Sequence, residues 1–97
     1  MNKYESVIII RPDKTDDEIK LIIEDMKNLV IKNNGNFEKV ENLGLKKLAY
    51  EIRKCKEGYY AVLYFEADAS VITELERMYR ITEDIIKFMT IRKDEDE

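Results

Sequence analysis

Histidine is missing from this 97-residue chain, and cysteine occurs once, at Cys55. Without histidine there is no Cys/His zinc set and no Ser-His or Cys-His catalytic pair, and a lone cysteine forms neither an internal disulfide nor a resolving pair. Long apolar runs are also missing. None approaches the roughly 20 residues needed to cross a bilayer, and the opening Met1-Asn2-Lys3-Tyr4-Glu5 lacks the charged-then-apolar layout of a signal peptide. These absences point away from hydrolytic, redox and membrane-embedded functions. They leave the expectation of a cytoplasmic, non-catalytic binding domain with no metal, no cofactor, no membrane and no small-molecule substrate.

What remains suffices for one core. Hydrophobic residues make up 44% of the chain, with six tyrosines and three phenylalanines, and a chain of this length buries roughly two-thirds of its unfolded surface. The net charge of −4 comes from 17 Lys and Arg against 21 Asp and Glu. With the terminal run Asp94, Glu95, Asp96 and Glu97 set aside, residues 1–93 carry 17 bases and 17 acids. The single domain is therefore placed at 1–93, and 94–97 are expected to form a disordered acidic tail. Charge is segregated inside the neutral body. Asp13, Asp16, Asp17 and Glu18 gather near one helix start, whereas Lys46, Lys47, Arg53, Lys54 and Lys56 have only Glu51 within the basic span.

Tyr4 to Arg11 is rich in β-branched residues and stops at Pro12, so it reads as a strand, and the continuous Val7 to Ile10 run places it centrally. Thr15-Asp16-Asp17-Glu18 has the capping-box spacing. Ile19, Ile22, Ile23, Met26, Leu29 and Val30 then recur at helical intervals up to the left-handed exit signal Asn33-Asn34-Gly35, predicting a helix over about 16–32. Asn36 to about Leu48 alternates imperfectly around Gly44, as an edge strand with a bulge does. Ala49 to Glu57 reads as a partly extended, flexible loop ending at Gly58. Tyr59 to Glu66 is a second central strand, a helix capped by Asp68 or Ser70 follows, and Ile85 to Arg92 closes the chain as a strand. The order βαββαβ predicts an α+β, ferredoxin-like split βαβ fold, with a four-stranded antiparallel sheet and both helices on one face.

Such a fold hosts many functions, so the argument passes to side chains. Lys56-Glu57-Gly58-Tyr59-Tyr60 loosely echoes the basic-Gly-aromatic strand of RNA-recognition motifs, but its ordinary reading is a core strand. The adjacent carboxylates, Asp16 to Glu18 and Glu83-Asp84, sit at element ends, where helix-dipole stabilisation and solvation account for them. Cys55 lies among cations but has no base or resolving thiol, and incidental exposure is the expectation. The basic stretch from Lys39 to Lys56 is the most informative. Its amines can meet phosphates, and Tyr50 can stack on a base or bond to a sugar.

Asn42-Leu43-Gly44-Leu45-Lys46-Lys47-Leu48-Ala49-Tyr50-Glu51-Ile52 resembles the signature of the bacterial small-subunit ribosomal protein six family. Tyr4-Glu5 before an aliphatic strand and Pro12, Lys56-Glu57-Gly58-Tyr59, and Arg80-Ile81 through Met89 are similar to that family's other segments. The resemblance implies a non-enzymatic constituent of the small ribosomal subunit. It implies pairing with ribosomal protein eighteen as a heterodimer and binding to the central domain of the small-subunit (16S) rRNA. Carried over position by position, it implies contacts at Lys3, Tyr4, Lys46, Lys47, Tyr50, Lys87 and Arg92. The family often has arginine at the positions of Lys3, Lys46 and Lys47, and a second basic residue at that of Ile86. Lysine keeps the charge without the planar fork, which favours phosphate contact over base reading. Beside these residues, Leu43, Leu45 and Leu48 on the edge strand are expected to dock the second protein.

Two other functions fit a βαββαβ domain. An acylphosphatase-like enzyme needs a glycine-rich, arginine-bearing turn after the first strand, and Arg11-Pro12-Asp13-Lys14-Thr15 has no glycine and is acidic. A small-molecule-sensing regulatory domain needs few chemical residues but should form a homodimer without RNA affinity.

Overall fold

The computed structural model describes residues 1–93, and the expected tail at 94–97 lies outside the described residues. Thr15 starts the first helix as the sequence spacing requires: its Oγ1 accepts from the Glu18 amide at 3.2 Å, and its own amide donates to Glu18 Oε1 at 2.9 Å. Six elements follow in order: β1 (Asn2–Ile10), α1 (Asp16–Lys32), β2 (Asn36–Ile52), β3 (Cys55–Ala67), α2 (Ala69–Ile81) and β4 (Ile85–Lys93). They form one sheet of order β2-β3-β1-β4, antiparallel throughout. This is the ferredoxin-like arrangement, with β1 and β3 central.

The core lies between the sheet and the two helices. Every second residue of β1, from Tyr4 through Ser6 and Ile8 to Ile10, shares it with Ala61, Leu63, Phe65 and Ala67 of β3. The helical stripes close it with Ile19, Ile23, Met26 and Val30 from α1 and Val71, Leu75 and Tyr79 from α2. Each large apolar side chain buried in this way stabilises the fold by roughly 1.5–3 kcal/mol. One polar group is sealed inside. Ser6 Oγ shares hydrogen bonds with the Tyr79 hydroxyl at 2.7 Å and Thr90 Oγ1 at 2.9 Å, tying β1, α2 and β4 together. Burial pushes the Tyr79 phenol well up from its usual value, so it stays neutral and serves as a hydrogen-bonding group.

Three expectations fail here. Residues 49–57 are no loop: β2 runs to Ile52, β3 starts at Cys55, and only Arg53 and Lys54 turn between them. Both turn residues have positive φ, 47° and 66°, as in the mirror-image two-residue turns whose twist matches that of paired strands. Cys55 is buried rather than exposed, because pairing opposite Ile52 brings it beneath the hairpin. Tyr4 belongs to the core, 7% exposed and 5.8 Å from the Phe65 ring centroid. Alternation puts it on the helix-covered face with Ser6 and Ile8, so its ring cannot reach an RNA.

Candidate nucleic-acid interface

The sheet face away from the helices is open, and the β2–β3 hairpin extends across its end. Gly44 prepares the extension. It sits at a register shift between Asn42 and Gly44 with φ +85°, a conformation that favours glycine, and the bulge adds twist to the strand. Beyond it Lys46 faces Gly58 and Lys47 faces Glu57, the register shifts again between Lys47 and Ile52, and Ile52 pairs with Cys55 beside the Arg53-Lys54 tip of this arm. Gly58 lets the arm approach β1, since a Cβ there would collide with Ile9 Cγ2 and meet Leu48 Cδ2 at 3.5 Å. The arm packs on the sheet through a small second cluster, Leu48 and Cys55 against Ile9 of β1 and Ile86 of β4, with Ile52 and Tyr60 beside it.

Two polar contacts tie the arm to the opposite side of the sheet. Lys87 Nζ on β4 donates to the Tyr50 hydroxyl at 2.7 Å and lies 5.0 Å from the centre of that ring. Arg53 Nη1 reaches the Glu83 carbonyl at 3.5 Å. Below the Tyr50–Lys87 contact lies a groove of about 250 Å³, lined by Val7, Ile9, Leu48, Ile52, Tyr60 and Met89 among others.

The sequence-derived residues therefore separate into groups. Tyr50 and Lys87 are brought together at the arm, and Lys46, opposite Gly58, faces the same open side, while Lys47, its neighbour in the strand, points to the other side by alternation. Lys3 and Arg92 lie at the far end of β1 and β4. Lys3 pairs with Lys93, and Ile9, six residues along β1, pairs with Lys87, which separates the ends by roughly 20 Å. Arg92 is paired with the inward-facing Tyr4, so it leaves the strand on the helix side of the sheet edge. Leu43 and Leu45 flank the bulge and are 43% and 58% exposed. Leu48 is not on that edge surface. It is buried at 9% in the arm's core, because the twist after Gly44 turns it toward Ile9.

Sequence reasoning missed the apolar character of the open face itself. Val7, Met89 and Ile91 stand on it, and Met89 and Ile91 are 56% and 44% exposed. The alternation of Lys87, Met89 and Ile91 with Phe88 and Thr90 carried that signal. Toward the β2 edge, Lys39 Nζ lies 4.8 Å from the Tyr64 ring centre, and the Tyr64 hydroxyl donates to Glu41 Oε1 at 2.8 Å. That bond to Glu41 raises the Tyr64 pKa, so this phenol remains a donor already engaged within the sheet. Among the described residues, no group of three or more acidic or cysteine side chains is arranged to hold a metal ion.

Comparison with known proteins agrees with this geometry. The family profile described as Ribosomal protein S6 matches residues 3–92. The chain is 47% identical over 94 residues to the small ribosomal subunit protein bS6 of Helicobacter acinonychis, covering 97% of this chain and 66% of that protein. It is 44% identical to the bS6 protein of Nitratiruptor sp., covering 95% of this chain and 72% of that one. The chain thus spans about two thirds of the length of these relatives. Among solved structures, the 30S ribosomal protein S6 of Thermotoga maritima superposes with a TM-score of 0.88 at 40% identity, over 95% of this chain and 87% of that one. A profile match over nearly all described residues, with the same fold at 40% identity, shows that the chain belongs to the ribosomal protein S6 family.

Proposed function

We propose that this chain is a structural constituent of the small ribosomal subunit that binds the central domain of 16S rRNA cooperatively with ribosomal protein eighteen. The supporting observation is a basic, aromatic-bearing hairpin arm on an otherwise neutral body. Lys46, Lys47 and Tyr50 are carried on that arm, and Lys87 is brought to it from β4. Lysine amines suit phosphates, and an exposed phenol suits a sugar or an unstacked base. Lys3 on the open face and Arg92 on the helix side stand at the other end of β1, each suited to a separate backbone contact.

About four phosphate contacts on one arm give a shallow salt dependence, with a slope of roughly −3 to −4 in log K against log salt, and modest affinity. A partner protein supplies the remainder. Gel shifts with a central-domain 16S rRNA fragment test the reading, with and without ribosomal protein eighteen. The expected result is weak binding alone and tight binding together. Tight binding unaided by the partner contradicts cooperativity, and a stable homodimer with no RNA affinity points to the sensor-domain reading.

A further inference from the structure

We propose that the cleft between the first half of α1 and the edge strand β2, on the helix side of the sheet, receives an arginine or lysine side chain from an extended segment of a second protein. The surface lies across the sheet from Tyr50 and Lys87 and does not depend on the function proposed above. The cleft measures about 530 Å³. Its floor is apolar, formed by Ile19 and Ile23, both buried, and the half-buried Val40. Asp16, Lys20 and Glu24 stand above it on α1, and Asn42 and Tyr59 face them from the strands. Register sets the facing: Val40 pairs with Leu63 and Asn42 with Ala61, both core residues on the helix side.

Charge defines the occupant. The lining carries two carboxylates against one ammonium, and Asp17 adds a third acid beside it. Among the described residues, none of Asp16, Asp17, Lys20 and Glu24 is engaged in an ion pair, so the carboxylates are open to a cation from outside. Burial, and then the Asp16 carboxylate, raise the Tyr59 pKa, so the phenol stays neutral. Its hydroxyl donates to Asn42 Oδ1 at 2.9 Å and keeps its own oxygen as an acceptor. A basic side chain matches this layout from end to end: its methylene stem covers Ile19, Ile23 and Val40, and its head meets the carboxylates and the phenol oxygen.

The strand beside the cleft says what carries that side chain. β2 ends the sheet, so its outward backbone groups have no partner strand. A peptide laid along such an edge, in a groove between strand and helix, gains main-chain hydrogen bonds and turns alternate side chains toward the groove. Other occupants fit less well. RNA phosphates are repelled by the carboxylates. A single metal ion cannot bridge Asp16 and Glu24, which stand eight residues apart on α1, roughly 12 Å along its axis. The basic Arg53-Lys54 tip of a second copy has the right charge, but it is a tight turn closing paired strands and cannot lie along β2.

The test titrates the isotope-labelled full chain with the peptide acetyl-Ala-Arg-Ala-amide, and with the same peptide carrying citrulline, a neutral isostere of arginine, while nuclear magnetic resonance follows the backbone amides. Saturable shifts are expected at residues 16–24, 40–42 and 59, with the citrulline peptide about three- to fivefold weaker. The double variant D16N/E24Q, once its dispersed spectrum shows it folded, should weaken the arginine peptide by about the same factor and the citrulline peptide less. Equal binding of the two peptides, an unchanged affinity in D16N/E24Q, or shifts that follow Asp94 to Glu97 instead of the cleft overturns the site. Tighter binding of spermidine than of the arginine peptide overturns its assignment to a protein segment. Sedimentation of the free chain should show a monomer, and a dimer that D16N/E24Q dissociates gives the cleft to a second copy and overturns it too. Binding of the 16S rRNA fragment should be the same in wild type and D16N/E24Q, so failure of the RNA function and failure of this site are read separately.

Discussion

The sheet has two regions built on different principles. Its body is sealed by two helices over a continuous core running from Tyr4 to Tyr79. Its arm, beyond Gly44, contributes Leu48 and Cys55 to a small buried cluster with Ile9 of β1 and Ile86 of β4, and has a turn held at positive φ and two polar ties to β4 and its approach. The body's shape follows from apolar area removed from water, which is insensitive to ligands. That of the arm follows from a few contacts at its base and tip, so a partner or an RNA can shift it. Binding residues gather on the weakly anchored region, and the strongly packed one fixes where it starts.

Core truncations should separate the regions most sharply. Phe65→Ala empties the centre of the body, where the side chain is 2% exposed, and should cost about 4 kcal/mol, lowering the denaturation midpoint as a single cooperative transition. Leu48→Ala, in the arm, should cost about 2 kcal/mol, near the low end for such changes because the small cluster lies close to solvent and can collapse. Amide hydrogen exchange then distinguishes them: Leu48→Ala should speed exchange at residues 46–58 far more than in the helices. Uniform acceleration throughout the chain would mean that the arm and body are one cooperative unit.

A gain is expected at the turn. Lys54 holds φ at 66° and Arg53 at 47°, where side chains are unfavourable. Lys54→Gly should relieve this strain and stabilise the chain by up to about 1 kcal/mol in urea denaturation. On the proposed function it should also weaken RNA binding, through the loss of one cation. Strain kept at a binding tip is the familiar exchange of stability for a positioned charge. Lower stability in Lys54→Gly would show that the lysine stem packs favourably enough to outweigh its backbone cost.

How much of this was legible beforehand differs between the same two regions. In the body, α1 was readable to the residue, because the Thr15 box, the apolar stripe and the Asn33-Asn34-Gly35 exit are local signals that tertiary packing reinforces. The arm was misread as a loop because its turn, Arg53-Lys54, lacks the Asn-Gly chemistry that usually announces a tight hairpin. Its strands are polar where they stand clear of the helices, so alternation fades. The placements of Tyr4 and Leu48 show the limit of motif resemblance, which names positions without their facing. Parity along β1 groups Tyr4 with Ser6, Ile8 and Ile10, all of them buried. No comparable count reaches Leu48, because the bulge at Gly44 resets the alternation in a way that only the paired strand reveals.

The smallest expected effect lies on the body, at the start of α1, where pH alone can probe it. Glu18 is fully exposed, and its carboxylate is held below the usual range chiefly by the hydrogen bond from the Thr15 amide, then by the Thr15 hydroxyl. A carboxylate with a lowered folded pKa contributes stability that is complete above its ordinary value of 4.5 and disappears as pH falls through the folded value. Glu18→Gln preserves a side-chain acceptor while removing the titration. The difference in stability between wild type and Glu18→Gln, followed by urea denaturation, should be constant at neutral pH and should narrow on the acid side of 4.5. Amide exchange at the arm should not follow it, since α1 starts beneath the helix-covered half of the sheet. Were the arm's protection to fall together with the cap, the two regions would be coupled through the body after all, and the arm's independence would have to be abandoned.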